Sequence, residues 1–230
     1  MAIFGNSQEL LEERRYPRSG EVEVSERTFN LVIGGVLLWG FLLNYLMVAL
    51  FGPQITRFVE GIGILPFLIG YFVMVIIGSV MIGKGGAAMS FLGYNLIALP
   101  IGVVVCACVD GVPMNVVKSA VLVTAIVTLS FMILGTLFPD FFLGMGRVLI
   151  VGLSVAIVAE LITALIFRRV SPVYEWGFVA LFSLYIGYDW ARANTCARTV
   201  DNAVDLAATL YLDIINLFLR VLEIMSRRKD

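Results

Sequence analysis

Residues 28–51 read TFNLVIGGVLLWGFLLNYLMVALF, an unbroken apolar run with no Asp, Glu, Lys or Arg. About 18 or more such residues in a helix cross the hydrocarbon layer of a bilayer. The rest of the chain repeats the pattern: it is 60% hydrophobic and 14% charged over 230 residues, with a mean hydropathy of +0.97. One soluble domain cannot hide that much apolar surface, so a bilayer must solvate it. An aggregation-prone soluble core is excluded by the length of the runs.

Outward from this stretch, the apolar segments read Thr28 to Phe51, Ile62 to Gly83, Ala87 to Val109, Ser119 to Phe138, Val148 to Phe167, Trp176 to Tyr188 and Ala203 to Leu222. Turn chemistry separates them at Gly52-Pro53, Lys84-Gly85-Gly86, Asp110-Gly111-Val112-Pro113, Pro139-Asp140, and Arg168-Arg169 before Ser171-Pro172. The short connections imply antiparallel hairpins in one all-α bundle. Barrel strands would alternate in polarity, and these do not. Helices close their own backbone hydrogen bonds, which suits them to lipid. Ser79, Gly83 and Ala87, spaced at four, suit close helix contact. Pro66 and Pro100 are candidate helix interruptions.

The expected organisation is a charged, solvated cytoplasmic tail over 1–27, a transmembrane domain over 28–223 and a short basic tail over 224–230. The first 27 residues lack the pattern of a cleaved secretory signal, so the first long segment is expected to stay. Lys and Arg counts favour a cytoplasmic amino terminus: Arg14, Arg15, Arg18, Arg27, Lys84, Arg147, Arg192 and Arg198 fall inside, against Arg57, Lys118, Arg168 and Arg169 outside. A full crossing by the last segment would export Arg220, Arg227, Arg228 and Lys229, which the same rule disfavours.

Several function classes lack their parts. A net charge of −1, with the basic residues dispersed, gives nucleic acid no field to bind. Cys106, Cys108 and Cys196 are too few for a four-cysteine zinc site, and there is no histidine to help them. Neither a Walker loop nor a histidine-activated nucleophile nor a zinc-protease signature is present, so no enzyme activity and no cofactor are expected. Without histidine, a proton response must come from perturbed carboxylates or another shifted group.

Ionisable groups inside spans are costly and usually face a bundle interior or a wet path. Glu160 lies within the fifth segment, Asp189 at the end of the sixth, and Asp205 and Asp213 within the seventh. That makes the seventh semi-polar and places it at the bundle centre. Asp205 and Asp213 are about 80° apart around a helix, with Thr209 between them, which gives one broad polar stripe. Each acid has two readings: a bond to a neighbouring helix or the headgroups, or a place on a proton or cation path. Lys84, closing the second segment, either snorkels into headgroups or pairs with a buried acid.

Leu184-Tyr185-Ile186-Gly187-Tyr188-Asp189 and Leu210-Tyr211-Leu212-Asp213-Ile214-Ile215-Asn216-Leu217-Phe218 resemble the paired signature of the transmembrane Bax inhibitor-motif family (Bax inhibitor one-like), bacterial branch. Segment number, spacing and the Phe91 to Val105 stretch fit as well, over about residues 28 to 227. The resemblance implies six transmembrane helices around a central semi-polar seventh. It also implies that Asp189 and Asp213 form a hydrogen-bonded, pH-sensing pair that gates calcium leakage and offers oxygens to calcium. Two adjacent carboxylates cannot both ionise cheaply and lose protons in two separated steps. The family's second span carries a glutamate and ends in an arginine latch. Here that span has no acid, and Lys84 stands about where the arginine would be, without its bidentate grip. Glu160 is then a candidate substitute for the missing acid, and Asp205 an added one; both are candidate pore or cation-binding groups.

The leading expectation is therefore a pH-regulated calcium (cation) leak in a bacterial plasma (inner) membrane, with the lipid bilayer, calcium ions and protons as partners. The alternative is a non-conducting regulator that binds a membrane-bound protease or other membrane protein. A proton-coupled carrier would show two related halves with broken helices, and no convincing internal repeat is present.

Overall fold

The computed structural model describes residues 14–17, 21–84, 86–167 and 172–227. Among these the chain is helical; the single strand-like feature is an isolated antiparallel bridge between Glu23 and Thr199. Helix α1 spans Glu26–Leu46 and passes through a π-helical turn, Met47–Phe51, into α2, Gly52–Ile62. Then come α3 (Ile64–Lys84), α4 (Ala87–Val109), α5 (Met114–Leu137), the short α6 (Pro139–Gly144), α7 (Gly146–Phe167), α8 (Pro172–Ala193) and α9 (Val200–Arg227). Four stretches of described residues, Glu26–Ile62, Ile64–Ile82, Ala87–Val109 and Met114–Leu137, are long and apolar enough to cross a membrane.

The expected break at Gly52-Pro53 is not a break. Pro53 sits in the first turn of α2, where its missing N–H has no intrahelical acceptor in any case, and helix continues to Ile62. Gly63, with φ at +81°, ends that run instead, since only glycine enters this conformation without a Cβ penalty. Pro66 likewise falls in the first turn of α3, and α4 continues through Pro100, so neither proline interrupts its helix. Pro139-Asp140 opens the short α6 rather than a simple turn. The last two helices outrun their apolar segments: α8 continues one turn past Asp189, and α9 runs on to Arg227 across the expected boundary at 223.

The chain forms two compact units. Among the described residues, the first comprises everything up to Val112 together with Cys196–Tyr211; the second comprises Pro113–Thr195 and the chain from Leu212. In the first, α3 and α4 meet at Gly78 and Gly93, where a methyl on either glycine would stand 2.6 Å from the other's carbonyl oxygen. Small residues at a crossing let backbones approach this closely. Ser79, next along α3, turns its hydroxyl back to the Val75 carbonyl. Buried Asn44 of α1 donates to the Tyr211 hydroxyl at 2.7 Å, and Tyr211 meets Tyr94 edge-on with ring centres 5.2 Å apart.

In the second unit α8 packs along α5 and α6. The Trp190 indole donates to Thr136 at 2.8 Å, and Phe142 of α6 lies against the backbone of Gly187. Gly187 and Tyr188 therefore have packing roles beside the acid that follows them.

Candidate functional site: an acid pair and an ionic clasp on two helices

Asp189 and Asp213 come together in the second unit. Asp189 projects from the penultimate turn of α8 and Asp213 from the middle of α9; they are 5% and 8% exposed. Their side chains are within hydrogen-bonding reach of each other. The second Asp213 carboxyl oxygen, Oδ2, is buried without a hydrogen-bond partner. Tyr185, one turn before Asp189 on α8, lies near both acids.

A cation also stands here. Because α8 continues past Asp189, Arg192 lies one turn further on the same face and places Nη1 3.2 Å from Asp189 Oδ1. Arg192 also lies close enough to Asp213 to act on its charge. The sequence reading counted Arg192 only as an inner-side charge, although its i,i+3 spacing from Asp189 is the spacing at which helix side chains meet. The side chain of Lys84, the residue read as a latch, lies outside the described residues.

Glu160 is not part of this pair. Arg220 of α9 grips it with two bonds, Nη1 to Oε1 at 2.7 Å and Nη2 to Oε2 at 3.0 Å. The same guanidinium reaches Glu175 of α8 at 3.1 Å and lies over the Phe178 ring at 4.0 Å. Arg227 comes within 3.9 Å of Glu175 and 2.7 Å of Glu223. Glu175 is 3% exposed; removing a carboxylate from water is costly unless a cation and hydrogen bonds replace the water. The bidentate fork and the ring contact suit arginine specifically. Along α8, Glu175 and Asp189 are separated by about 21 Å at 1.5 Å per residue, so pair and clasp sit toward opposite ends of that helix.

Asp205 belongs to the first unit, where Arg14 meets it in an ion pair. Thr209, expected between the two α9 acids, turns its hydroxyl to the Leu206 carbonyl. Asp201, which the sequence reading passed over, accepts from the Ser90 hydroxyl at 3.1 Å. Among the described residues no group of three or more His, Cys, Asp or Glu converges to hold a metal ion.

A family model described as inhibitor of apoptosis-promoting Bax1 matches residues 22–230. The chain belongs to this family. The match takes in every described helix, and with the apolar spans it makes the chain a membrane protein of the Bax1-inhibitor family. Two uncharacterized proteins of Helicobacter pylori, from strains 26695 and J99, are each 37% identical to it over 87 residues. The matched stretch is 37% of this chain and 37% of each relative's length.

Proposed function

We propose that this protein is a pH-regulated calcium (cation) leak of a bacterial plasma membrane, gated by the protonation of Asp189 and Asp213. The observation that carries the reading is the meeting of two buried carboxyl side chains from different helices, within hydrogen-bonding reach. With one proton shared, such a pair ties α8 to α9. With both protons gone, two like charges repel and offer hard oxygens to a passing cation. In this reading α9 is the semi-polar helix around which six others pack, the amino terminus is cytoplasmic, and Asp189 lies near the cytoplasmic ends of the helices. Calcium is cargo, bound transiently and not held as a resident ion.

Arg192 takes the latch position in this reading. Its guanidinium is 3.2 Å from Asp189 and can compensate whichever carboxyl of the pair ionises first. Glu160, held by Arg220, serves to fix α7, α8 and α9 to one another, and the pair alone senses protons.

Calcium entry into vesicles reconstituted with the purified protein, measured across about pH 5.5 to 8, tests the proposal. A flux that changes with pH through this range is expected. Vesicles that stay tight at every pH would instead match a non-conducting regulator that binds a membrane protease.

A further inference from the structure

Glu26 to Ile62 is one helical path of 37 residues, about 55 Å at 1.5 Å per residue, whereas the hydrocarbon layer is about 30 Å thick. Part of the path therefore lies outside the hydrocarbon, and the sequence marks which part. The charge-free apolar run ends at Phe51. Beyond it, in α2, Ile55, Phe58, Val59 and Ile62 recur at the spacing of one helix face, and Gln54, Arg57 and Glu60 fall on the other. The backbone changes at the same place: α1 passes into the π-helical turn at Met47–Phe51, and Phe51, with φ at −128° and ψ at 1°, leaves helical geometry before α2 resumes it.

Close approaches within the first unit show how far each helix has travelled. α1 runs parallel to α4, with Gly40 against Tyr94 and, further on, Asn44 and Met47 against Gly102. This offset of 54 to 58 residues brings Gly52 level with the end of α4 at Val109. α3 runs antiparallel to α4, with Gly78 against Gly93 and Ile97, which sets Ile64 level with that same end. Both ends of α2 therefore stand at one height. A helix of 11 residues, about 16 Å long, can meet that condition only by lying across the ends of its neighbours.

That height is the membrane boundary, because the α4 span ends there at Val109 and the α3 span begins there at Ile64. No α2 residue is buried. Phe58 is 64% exposed and Ile62 39%, and Leu50, Phe51, Ile64 and Leu65, which flank α2 in the chain, are more than half exposed as well.

We infer that α2 lies in the plane of the membrane surface, with Phe58 and Ile62 in the acyl-chain boundary and Gln54, Arg57 and Glu60 turned to headgroups and water. The partner is the lipid interface itself. An amphipathic helix divided in this way rests with its apolar face about 5–10 Å into the boundary, and a guanidinium on its polar side suits lipid phosphate. Continuity with the spans on either side selects lipid as the occupant of this face, since α1 and α3 hold both ends of α2 at the boundary. The inference is independent of the leak.

The test places nitroxide labels at 54, 57, 58, 60 and 62, one at a time, through cysteine in a full chain carrying Cys106→Ala, Cys108→Ser and Cys196→Ser, in lipid vesicles. Collision with oxygen, which partitions into lipid, is compared with collision with a water-soluble nickel chelate. The ratio should be severalfold higher at 58 and 62 than at 54, 57 and 60, and 58 and 62 should lie at the same depth. A depth that changes steadily from 54 to 62 would show α2 standing along the membrane normal and would overturn the inference. Labels at 58 and 62 open to the chelate, or shielded from both reagents as under a covering protein, would also overturn it. Bromolipid quenching of Phe58→Trp and Ile62→Trp in the chain with its cysteines intact repeats the reading: quenching of both beyond that of the native tryptophans is expected, and none at either position would contradict it.

Discussion

Two charged sites share α8 and α9, and they handle burial in opposite ways. At the Asp189–Asp213 end two carboxyl groups meet each other, with one guanidinium to the side. At the Glu160–Glu175 end the guanidinium stands between the carboxylates and binds both. Asp213 and Arg220 are seven residues apart on α9, so they lie on nearly the same face about 10.5 Å from each other. The difference is one of charge balance within a single scaffold. Acid against acid leaves a proton to be shared, which is the basis of the proposed pH response; acid against arginine leaves none, because the guanidinium stays charged at any pH the protein meets.

The largest effect should come from breaking the clasp. Arg220→Ala removes the cation that binds Glu160 and buried Glu175 and leaves Glu175 the more distant Arg227 at 3.9 Å; removing one partner of a fully buried pair costs about 3–5 kcal/mol, and the part-exposed Arg220 and Glu160 bring the expected loss to the lower end of that range. Thermal unfolding in detergent should show a clear loss, and Arg220→Lys should recover only part of it because an ammonium cannot form the fork. A melting temperature unchanged in Arg220→Ala would remove the clasp from the account. Glu160→Gln should cost less, about 1–3 kcal/mol, because Glu175 still holds Arg220. Its pH response in flux should match wild type. A flattened response in Glu160→Gln would make Glu160 part of the sensor and erase the contrast between the two ends.

A subtler change sharpens the other end. Arg192 places a positive charge beside the pair, so Arg192→Gln should move the midpoint of the pH response in flux to higher pH. The direction follows from sign alone: losing a nearby positive charge makes the acid harder to ionise. Flux titrations of wild type and Arg192→Gln in the same lipid check it, and a midpoint that stays or falls would return the latch to Lys84.

The apolar runs located seven of the described helices, because length and hydropathy are local properties, while α2 and α6 fall in stretches that read as breaks. Ala87–Val109 has the same bounds in sequence and structure. The ends were less legible where polar residues continue a helix: Asp189 read as a terminus because Trp190 and Arg192 look like the start of a loop, yet α8 carries both and ends at Ala193. Asp189 and Asp213 were legible as a pair through their motifs. The clasp was not, since Glu175 and Glu160 lie 45 and 60 residues before Arg220, and a lone Arg near the end of an apolar helix reads as a flank. Arg14 was hidden for a related reason: within Glu12-Glu13-Arg14-Arg15, nothing marks one arginine as the partner of an aspartate in the last helix. The spacing from Asp213 to Arg220 was the missed signal, because seven residues restore the same helix face.

The central claim is that Asp189 and Asp213 act together as the sensor of pH. Calcium flux against pH in wild type, Asp189→Asn, Asp213→Asn and the double variant tests it most directly, because asparagine keeps the size and hydrogen bonding of the side chain while removing its charge. Either single substitution should flatten the response between about pH 6 and 8, and the double variant should add little to either. Single variants that keep the full wild-type pH response would contradict the coupled pair, whatever their absolute rates.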